Sequence, residues 1–405
     1  MTGFVKTRLA AMMFIEYVIW GSWYVTVTTY LTSTLHFTGT QAGAVFGTTA
    51  VAALVSPFFV GLVADRFFAT ERVLAVLYAL GAVCMLLVMN VTSFFGVYTL
   101  LLAFCLCFFP TIALTNSITM QQVADPGRDF PPIRVVGTLG WIGINLVVGF
   151  MGVEATTTPF LLAAIASVVM CIYSLVALPH TPPRGAGQKV TVRSILGLDA
   201  LAMLKQPAFL VFVIASVLAC IPLTFYYSFT NPYLNDAGVV NAAGKMTIGQ
   251  ASEVLMMLAM PLIFRIASVR GILLLGLASW AIRYVLLAYG NAGSGMWMFY
   301  VAIALHGICY DFFFVTGQLY TDQEAPAHLR STAQGFITFV TYGLGMLIGS
   351  FLSGYALDYF STTAAGAVTR NWVSFWLSSA SMSAAILLLV AVFFRTRARI
   401  APAAK

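Results

Sequence analysis

Long apolar stretches alternate with short polar ones along nearly the whole chain. Each apolar stretch has the roughly 20 residues that an α-helix needs to cross the hydrocarbon core of a bilayer. Six of them precede a polar stretch at 179–206, which contains prolines and several basic residues, and six follow it. The pattern predicts twelve membrane-spanning helices, at about 8–31, 41–64, 72–91, 94–118, 133–153, 158–178, 207–234, 247–264, 271–289, 296–320, 331–356 and 372–394.

The composition agrees with a chain that is embedded in lipid. Hydrophobic residues make up 60% of the sequence and charged residues only 8%, whereas soluble domains are about 25% charged. A water-soluble fold needs a largely polar surface, which this sequence could not supply. The first apolar stretch is too long for a signal-peptide core and lacks a cleavage site, so we expect no cleaved signal. The sequence therefore predicts an all-α membrane protein.

The distribution of lysine and arginine predicts the orientation. If the N-terminus is cytoplasmic, every Lys and Arg faces the cytoplasm except Lys245 and Arg370, in outer loops, and Arg134 and Arg283, in helices. Cytoplasmic loops typically carry such an excess of basic residues. We predict cytoplasmic N- and C-termini in a multi-pass protein of the bacterial inner membrane. Because the basic residues are scattered among loops, the net charge of +7 does not indicate binding to nucleic acid.

Six spans, a cytoplasmic linker and six further spans form the architecture of the major facilitator superfamily. We predict an N-terminal half at 1–178, a linker at 179–206 and a C-terminal half at 207–405. The stretch GLVADR, at 61–66, resembles the superfamily's signature loop between the second and third helices. The resemblance implies a gating role for Asp65 and Arg66, in which Asp65 caps or pairs with a neighbouring helix and locks the inner gate.

Six ionisable side chains lie inside the predicted spans, where burying a charge in lipid is costly. They are Glu16, Arg134, Glu253, Arg283, His306 and Asp311. The estimated depths of Glu253 and Arg283 coincide, which allows an ion pair between them. Intramembrane carboxyl groups favour the proton as coupling ion, and Glu253, Asp311 and Glu16 are the candidates to carry it.

The motifs of common enzyme classes are missing from the sequence. It has no P-loop and no HExxH motif, so we expect neither ATP-driven transport nor metalloprotease chemistry. The six cysteines all lie in apolar stretches, where they are typical of small buried side chains rather than metal ligands. We therefore predict a gradient-driven transporter rather than an enzyme, with no cofactor and no metal, acting as a monomer.

Polar residues recur at helical spacing on several of the predicted spans. In the fifth span Arg134, Thr138, Trp141 and Asn145 lie on one face, and together they offer a bidentate donor, a hydroxyl, an aromatic plane and an amide. Shorter stripes pair Thr224 with Tyr227, Gln250 with Glu253, and His306 with Tyr310. Pro222 and Pro232 flank the first of these pairs and predict an interruption of the seventh helix, which is typical of transporter sites.

Seven sequence motifs, spread over nearly the whole chain, resemble one family. They are IWGSW (19–23), LTNSI (114–118), RDFPPIRVVGTLGW (128–141), LGLDA (196–200), GQASE (249–253), LHGICYDFF (305–313) and AQGF (333–336). The chain resembles the nucleoside:proton symporter family of the major facilitator superfamily, and within it the branch of candidate nucleoside transporters. The resemblance implies proton-coupled nucleoside uptake.

The resemblance also implies a substrate site. Its residues are Arg134, Thr138 and Trp141 on the fifth helix, Gln250 and Glu253 on the eighth, and His306 and Tyr310 on the tenth, with Asp311 as a carboxylate beside the site. The chain departs from the characterised permeases on the seventh helix, where Thr224 and Tyr227 replace two amide side chains. His306 replaces a tyrosine and Trp141 a phenylalanine.

Because of these departures, the sequence alone does not decide the class of substrate. Another polar solute, such as a sugar or an aromatic glycoside, is the main alternative to a nucleoside. Efflux by proton antiport is disfavoured, because the fifth span VVGTLGWIGINLVVGF lacks the Gly-Pro motif of efflux members. A sensor that does not transport would need a cytoplasmic output domain, for which the longest loop is too short.

Overall fold

The computed structural model describes residues 3–59, 68–182, 198–364, 367–396 and Ile400 of the chain. Twelve long helices account for most of these residues. They are α1 Gly3–Tyr24, α2 Gly39–Phe59, α3 Thr70–Val88, α4 Phe94–Gln122, α5 Pro126–Met151, α6 Thr158–Val176, α7 Pro207–Asp236, α8 Ala242–Ile266, α9 Val269–Tyr289, α10 Met296–Glu324, α11 Thr332–Tyr359 and α12 Trp372–Phe393.

Within the described ranges, eleven of these helices are long and apolar enough to cross a membrane. The exception is α2, whose described part ends at Phe59. On α3, which packs against α4 and α6, Val76, Leu80 and Val83 recur at helical spacing and are exposed, while Leu77 and Met85 are buried. An exposed apolar stripe of this kind suits lipid rather than water. The predicted helical membrane architecture is confirmed.

The chain forms two compact units. The first comprises Met1–Thr191 and Val240–Gly244, and the second comprises Val192–Val239 and Lys245–Lys405. The predicted division into halves at 1–178 and 207–405, with a linker at 179–206, stays a prediction. The gating pair Asp65 and Arg66 lies outside the described residues.

Glycines allow α1 and α5 to pack closely in the first unit. A Cβ atom at Gly140 would collide with the backbone of Phe14, and one at Gly137 would lie 2.7 Å from the Tyr17 ring. Asp125 begins α5 by accepting a hydrogen bond from the backbone N–H of Arg128, and Pro126 is the first helical residue. The helix therefore starts seven residues before the predicted position, inside a polar segment.

The second unit is built around α7, which packs against α11 and α12. The expected interruption of α7 is wrong: Pro222 and Pro232 lie within one continuous helix, Pro207–Asp236. Packing on both sides holds the helix together where each proline removes one backbone hydrogen bond. In addition, the hydroxyl group of Tyr284 on α9 donates to the backbone carbonyl of Pro222.

Interruptions occur instead in α10, in α11 and at the end of the first span, where a π-helical segment, Tyr30–Thr34, follows α1. After Met296–Ala304, α10 breaks at Leu305 and resumes as His306–Tyr310, and a π-helical turn, Asp311–Val315, then leads into Thr316–Glu324. A further π-helical segment, Phe339–Gly345, divides α11. π-turns are rare and occur frequently at functional sites. Helices α10 and α11 both belong to the second unit.

A small β-hairpin departs from the predicted all-helical structure. Strands Ser361–Ala364 and Ala367–Arg370 pair antiparallel between α11 and α12. The Arg370 guanidinium donates to the Asp236 carboxylate over 2.8 Å, and the indole N–H of Trp372 donates to the same oxygen over 3.0 Å. The hairpin is thereby fixed to the C-terminal end of α7.

Candidate substrate and proton sites

Glu16 is a buried carboxyl group in the first unit. Its side chain on α1 is inaccessible to solvent, and one of its oxygens lies 2.8 Å from the hydroxyl group of Thr111 on α4. That hydroxyl also lies 2.6 Å from the backbone carbonyl of Phe108, and it has one proton to donate. The other Glu16 oxygen has no hydrogen-bond partner among the described residues. An ionised carboxylate here would therefore keep one buried oxygen without a hydrogen bond from the described residues, which is costly.

The predicted face of α5 lies beside the aromatic side chains of α1. The guanidinium carbon of Arg134 is 4.2 Å from the centre of the Tyr17 ring, which is a cation–π contact. Trp141 meets Trp20 edge-on, with ring centres 5.4 Å apart. Thr138 lies between Arg134 and Trp141 on the same helix and is partly buried. The first unit thus places a cation and an indole plane along one helix.

Asn145 completes the predicted polar stripe on α5. Its amide nitrogen donates to the Trp141 carbonyl over 2.9 Å. Its side-chain oxygen is buried and has no partner among the described residues. The four residues of the stripe therefore lie on one continuous helix, and their contact with a substrate stays a prediction.

His306 is the centre of an aromatic cluster in the second unit. It is only 1% exposed, and its ring stacks on Tyr226 with 5.3 Å between centres. Its Nδ1 atom lies 2.9 Å from Nη1 of Arg283, and its Nε2 atom lies 3.4 Å from the hydroxyl of Tyr227. The sequence allowed Arg283 to pair with Glu253; the structure brings it to His306 and Tyr226.

Asp311 opens the π-helical turn of α10. The side chain is 0% exposed, and neither carboxyl oxygen has a hydrogen-bond partner among the described residues. Glu253 on α8 lies within electrostatic range of both Asp311 and Tyr310. The hydroxyl groups of Tyr310 and Tyr342 are in contact. The second unit therefore places two carboxyl groups beside its aromatic cluster.

Helices α8 and α10 approach each other closely at this cluster. A Cβ atom at Gly307 would lie 2.7 Å from the backbone nitrogen of Glu253. The hydroxyl group of Ser252 donates to the Ala304 carbonyl, next to the break at Leu305. Gly249, the neighbour of Gln250 in sequence, faces His306. The backbone contact thus holds the Gln250–Glu253 stripe against the His306–Tyr310 stripe.

Thr224 lies in the packing between α7 and α11. It is fully buried, and its hydroxyl donates to the Cys220 carbonyl over 2.7 Å. A Cβ atom at Gly349 of α11 would collide with it. A threonine has one O–H proton, so this hydroxyl has none left for a ligand. Substrate binding by Thr224 stays a prediction, and of the two seventh-helix candidates Tyr227 is the more accessible.

Three contacts at these sites were missed from the sequence: Thr111 beside Glu16, Tyr226 beneath Arg283, and Tyr342 against Tyr310. Each partner comes from a helix distant in sequence, so no spacing along one helix could reveal it. Tyr226 is adjacent to Tyr227 in a run of polar and aromatic residues, which was the only signal.

Comparison with known proteins identifies the family. A model of the nucleoside H+ symporter family matches residues 4–399. YegT of Escherichia coli (strain K12), whose name describes it as a candidate nucleoside transporter, is 41% identical over 399 residues, covering 96% of this chain and 93% of YegT. The xanthosine permease of the same organism is 30% identical over 405 residues, covering 96% of this chain and 95% of the permease.

The fold agrees with a solved relative. The crystal structure of the nucleoside transporter NupG superposes with a TM-score of 0.89 at 28% sequence identity, covering 97% of this chain and 100% of that one. The predicted major facilitator fold and the predicted family are both confirmed. The chain belongs to the nucleoside H+ symporter family of multi-pass membrane transporters.

Proposed function

We propose that this transporter takes up nucleosides together with protons, by alternating access, in the bacterial inner membrane, and that it acts as a monomer. Family membership and the helical membrane fold support the transport reaction. The carboxyl group of Asp311, which is buried and has no hydrogen-bond partner in the described part of the chain, carries the proposal of proton coupling. A coupling site must hold a proton in one state of the cycle and release it in another, and a carboxyl group can do both.

The described surroundings of Asp311 offer no hydrogen bond that would stabilise a charged carboxylate. An ionised carboxylate buried without hydrogen bonds would be strongly destabilised. The neighbouring carboxylate of Glu253 adds repulsion when both groups are charged. When the site opens to water, hydration would remove the penalty and Asp311 could release its proton. Glu253 is the second candidate for the proton, and Glu16, on the first unit, is the third.

The polar and aromatic residues of each unit supply the chemistry that a nucleoside needs. A nucleoside presents a flat base with donors and acceptors, and a ribose with hydroxyl groups. We assign hydrogen bonding to Arg134 and Gln250, stacking against the base to Trp141 or Tyr310, and acceptance of ribose or base protons to Glu253. Thr138, Tyr227 and His306 are the further candidates for substrate contact.

A competition experiment tests the substrate class. We expect an excess of unlabelled adenosine or uridine to block uptake of a labelled nucleoside, while glucose and free ribose leave it unchanged. A ligand that lacks the base or the ribose leaves buried polar groups of the protein without a hydrogen-bond partner. Each such group costs about 1–3 kcal/mol, which corresponds to roughly tenfold or more in affinity. Equal competition by simple sugars would favour the alternative, a transporter of another polar solute. The replacement of the two amide side chains by Thr224 and Tyr227 would then explain the change of substrate.

A topology experiment tests the orientation. We expect tags at position 190 and at the C-terminus to report the cytoplasm, and a tag at Gly238 to report the outside. The excess of basic residues on one side is the physical reason. Gly238 has a φ of +78° in the turn that follows α7, where an insertion should disturb no helix. A cytoplasmic signal from Gly238 would contradict the proposed orientation.

A further inference from the structure

Arg283 on α9 is a buried cation to which neither the family nor the proposed site gives a role. It is 0% exposed, and its guanidinium carbon lies 3.4 Å from the centre of the Tyr226 ring. Its Nη1 atom lies 2.9 Å from Nδ1 of His306, and the side chains of Tyr226 and Cys309 also lie beside the guanidinium group. Arginine stays charged in proteins, so this position carries a large desolvation penalty. A purely apolar residue would pack there without that penalty.

The contact with Arg283 determines which nitrogen of His306 carries the proton. All five guanidinium N–H groups are donors, and arginine has no acceptor. The Nδ1 atom of His306 must therefore accept, which requires its lone pair to be free. A neutral imidazole with a free Nδ1 carries its proton on Nε2. Arg283 thus fixes His306 as the neutral Nε2–H tautomer.

The fixed tautomer then acts on Tyr227 of α7. The Nε2 atom of His306 lies 3.4 Å from the Tyr227 hydroxyl, and the two rings meet at 78°. Because Nε2 carries the proton, it donates and the tyrosine oxygen accepts. The Tyr227 oxygen accepts a hydrogen bond from Nε2–H of His306, so the O–H group of Tyr227 does not point at His306. That O–H group can act only as a donor, towards a different acceptor. The side chain of Tyr227 is partly buried, whereas those of His306 and Arg283 are fully buried.

We propose that Arg283 is a positioning residue for transport: through His306 it orients Tyr227 as a hydrogen-bond donor to an acceptor atom of the nucleoside. The inference rests on the proposed function, because it assumes that Tyr227 contacts the substrate. It gives a reason for two departures from the characterised permeases, since His306 and Tyr227 then form one chain of oriented hydrogen bonds that begins at Arg283. Arg283 itself does not touch the substrate.

The first experiment measures the tautomer without substrate. The four histidines of the chain are labelled with ¹⁵N, and His306 is assigned by the signal that is lost in His306→Tyr. In the wild-type protein we expect a protonated Nε2 and an unprotonated Nδ1. In Arg283→Met we expect a mixture of tautomers, and in Arg283→Lys, which keeps a donor, the wild-type form. An Nδ1–H or doubly protonated ring in the wild type would overturn the proposal, whether or not the protein binds nucleosides.

The second experiment measures the Kd of uridine by titration calorimetry in a double-mutant cycle. We expect Tyr227→Phe and Arg283→Met each to weaken binding about tenfold, through loss of one oriented hydrogen bond. We expect the double variant to be no weaker than either single variant, because both changes remove the same bond. If the fold-changes in Kd of the two single variants multiplied in the double variant, Arg283 would act independently of Tyr227. That result would overturn the proposal.

Two variants keep these measurements interpretable. If Arg283→Met unfolds, Arg283→Lys is the variant to measure. Lysine keeps the charge and one donor, so this variant is expected to retain most of the uridine affinity of the wild-type protein. Arg265→Met removes an exposed arginine from the neighbouring helix α8, and should change neither the tautomer nor the Kd. If wild-type protein fails to bind uridine but shows the expected tautomer, the proposed nucleoside class is wrong and the contact between Arg283 and His306 stands.

Discussion

Replacing Asp311 with asparagine is expected to abolish accumulation of nucleoside against its gradient while exchange across the membrane continues. Asparagine has nearly the shape of a protonated aspartic acid, so it mimics one state of the cycle and cannot reach the other. The side chain has no hydrogen-bond partner among the described residues that the substitution would disrupt. Binding should therefore survive, and the coupling to protons should be lost.

The expected size of this effect follows from the driving force. One proton that crosses a membrane potential of about 100 mV supplies about 2.3 kcal/mol, which sustains a substrate gradient of roughly 50-fold. In proteoliposomes with such an imposed potential, the wild-type protein should approach that ratio and Asp311→Asn should stay near unity. A protonophore should reduce the wild-type protein to the level of the variant. Counterflow of labelled uridine should be similar in both.

Asp322→Asn is the matched control for this measurement. It is the same chemical change on the same helix, but the Asp322 side chain is 47% exposed and lies 4.0 Å from Arg330. Such a pair contributes little to stability, so accumulation should be unchanged. If Asp311→Asn still accumulates substrate uphill, the proton is carried elsewhere. Glu253→Gln and then Glu16→Gln would be the next variants to measure.

The apolar pattern predicted the membrane helices well because the bilayer imposes one simple requirement on every span. A backbone in lipid must satisfy its own hydrogen bonds, so a stretch of about 20 apolar residues has few alternatives to a helix. Even so, the apolar pattern predicts the start of α5 seven residues too late. Asp125 and the prolines that follow begin the helix in a polar segment, where hydropathy carries no information.

The interruptions of the helices were harder to predict. Pro222 and Pro232 are obvious breakers in the sequence, yet α7 continues through both. The π-turn at Asp311–Val315 contains no proline and no glycine. Tertiary packing decides both outcomes: neighbours support α7, and close contact with α8 constrains α10 at Gly307. Neither effect is encoded within the segment itself.

The candidate site was predictable residue by residue but not contact by contact. Intramembrane charge singled out Arg283, His306 and Asp311, because lipid makes any such residue costly. The partners of these residues depend on which helices meet in three dimensions. Estimated depth in the membrane allowed a pair between Arg283 and Glu253, whereas the structure places Arg283 against His306 and Tyr226. The tautomer of His306 follows only from the position of the guanidinium. Sequence thus identified the groups, and three-dimensional packing determined their chemistry.

Gly307→Ala is expected to be strongly destabilising for a single added methyl group. In α10, a Cβ atom at this position would lie 2.7 Å from the backbone nitrogen of Glu253 and still closer to the backbone of Ser252. Backbone atoms of α8 cannot move aside as a flexible side chain could. Forcing extra atoms into a tightly packed interface costs about 1–3 kcal/mol, and α10 and α8 must separate to relieve it.

That separation should also impair transport, because it moves α10 at His306 away from α8 at Glu253 and shifts the helical segment His306–Tyr310, which leads into Asp311. The measurement is thermal unfolding in detergent, together with the Kd of uridine. Gly143→Ala is the matched control for stability, since among the described residues no heavy atom beyond its own stretch of α5 lies within 4 Å of the position of its added Cβ. An alanine in a helix at such an open position should leave stability unchanged or raise it by up to about 1 kcal/mol. If Gly307→Ala unfolded at the same temperature as Gly143→Ala, the close backbone contact between α8 and α10 would not be a structural requirement of the site.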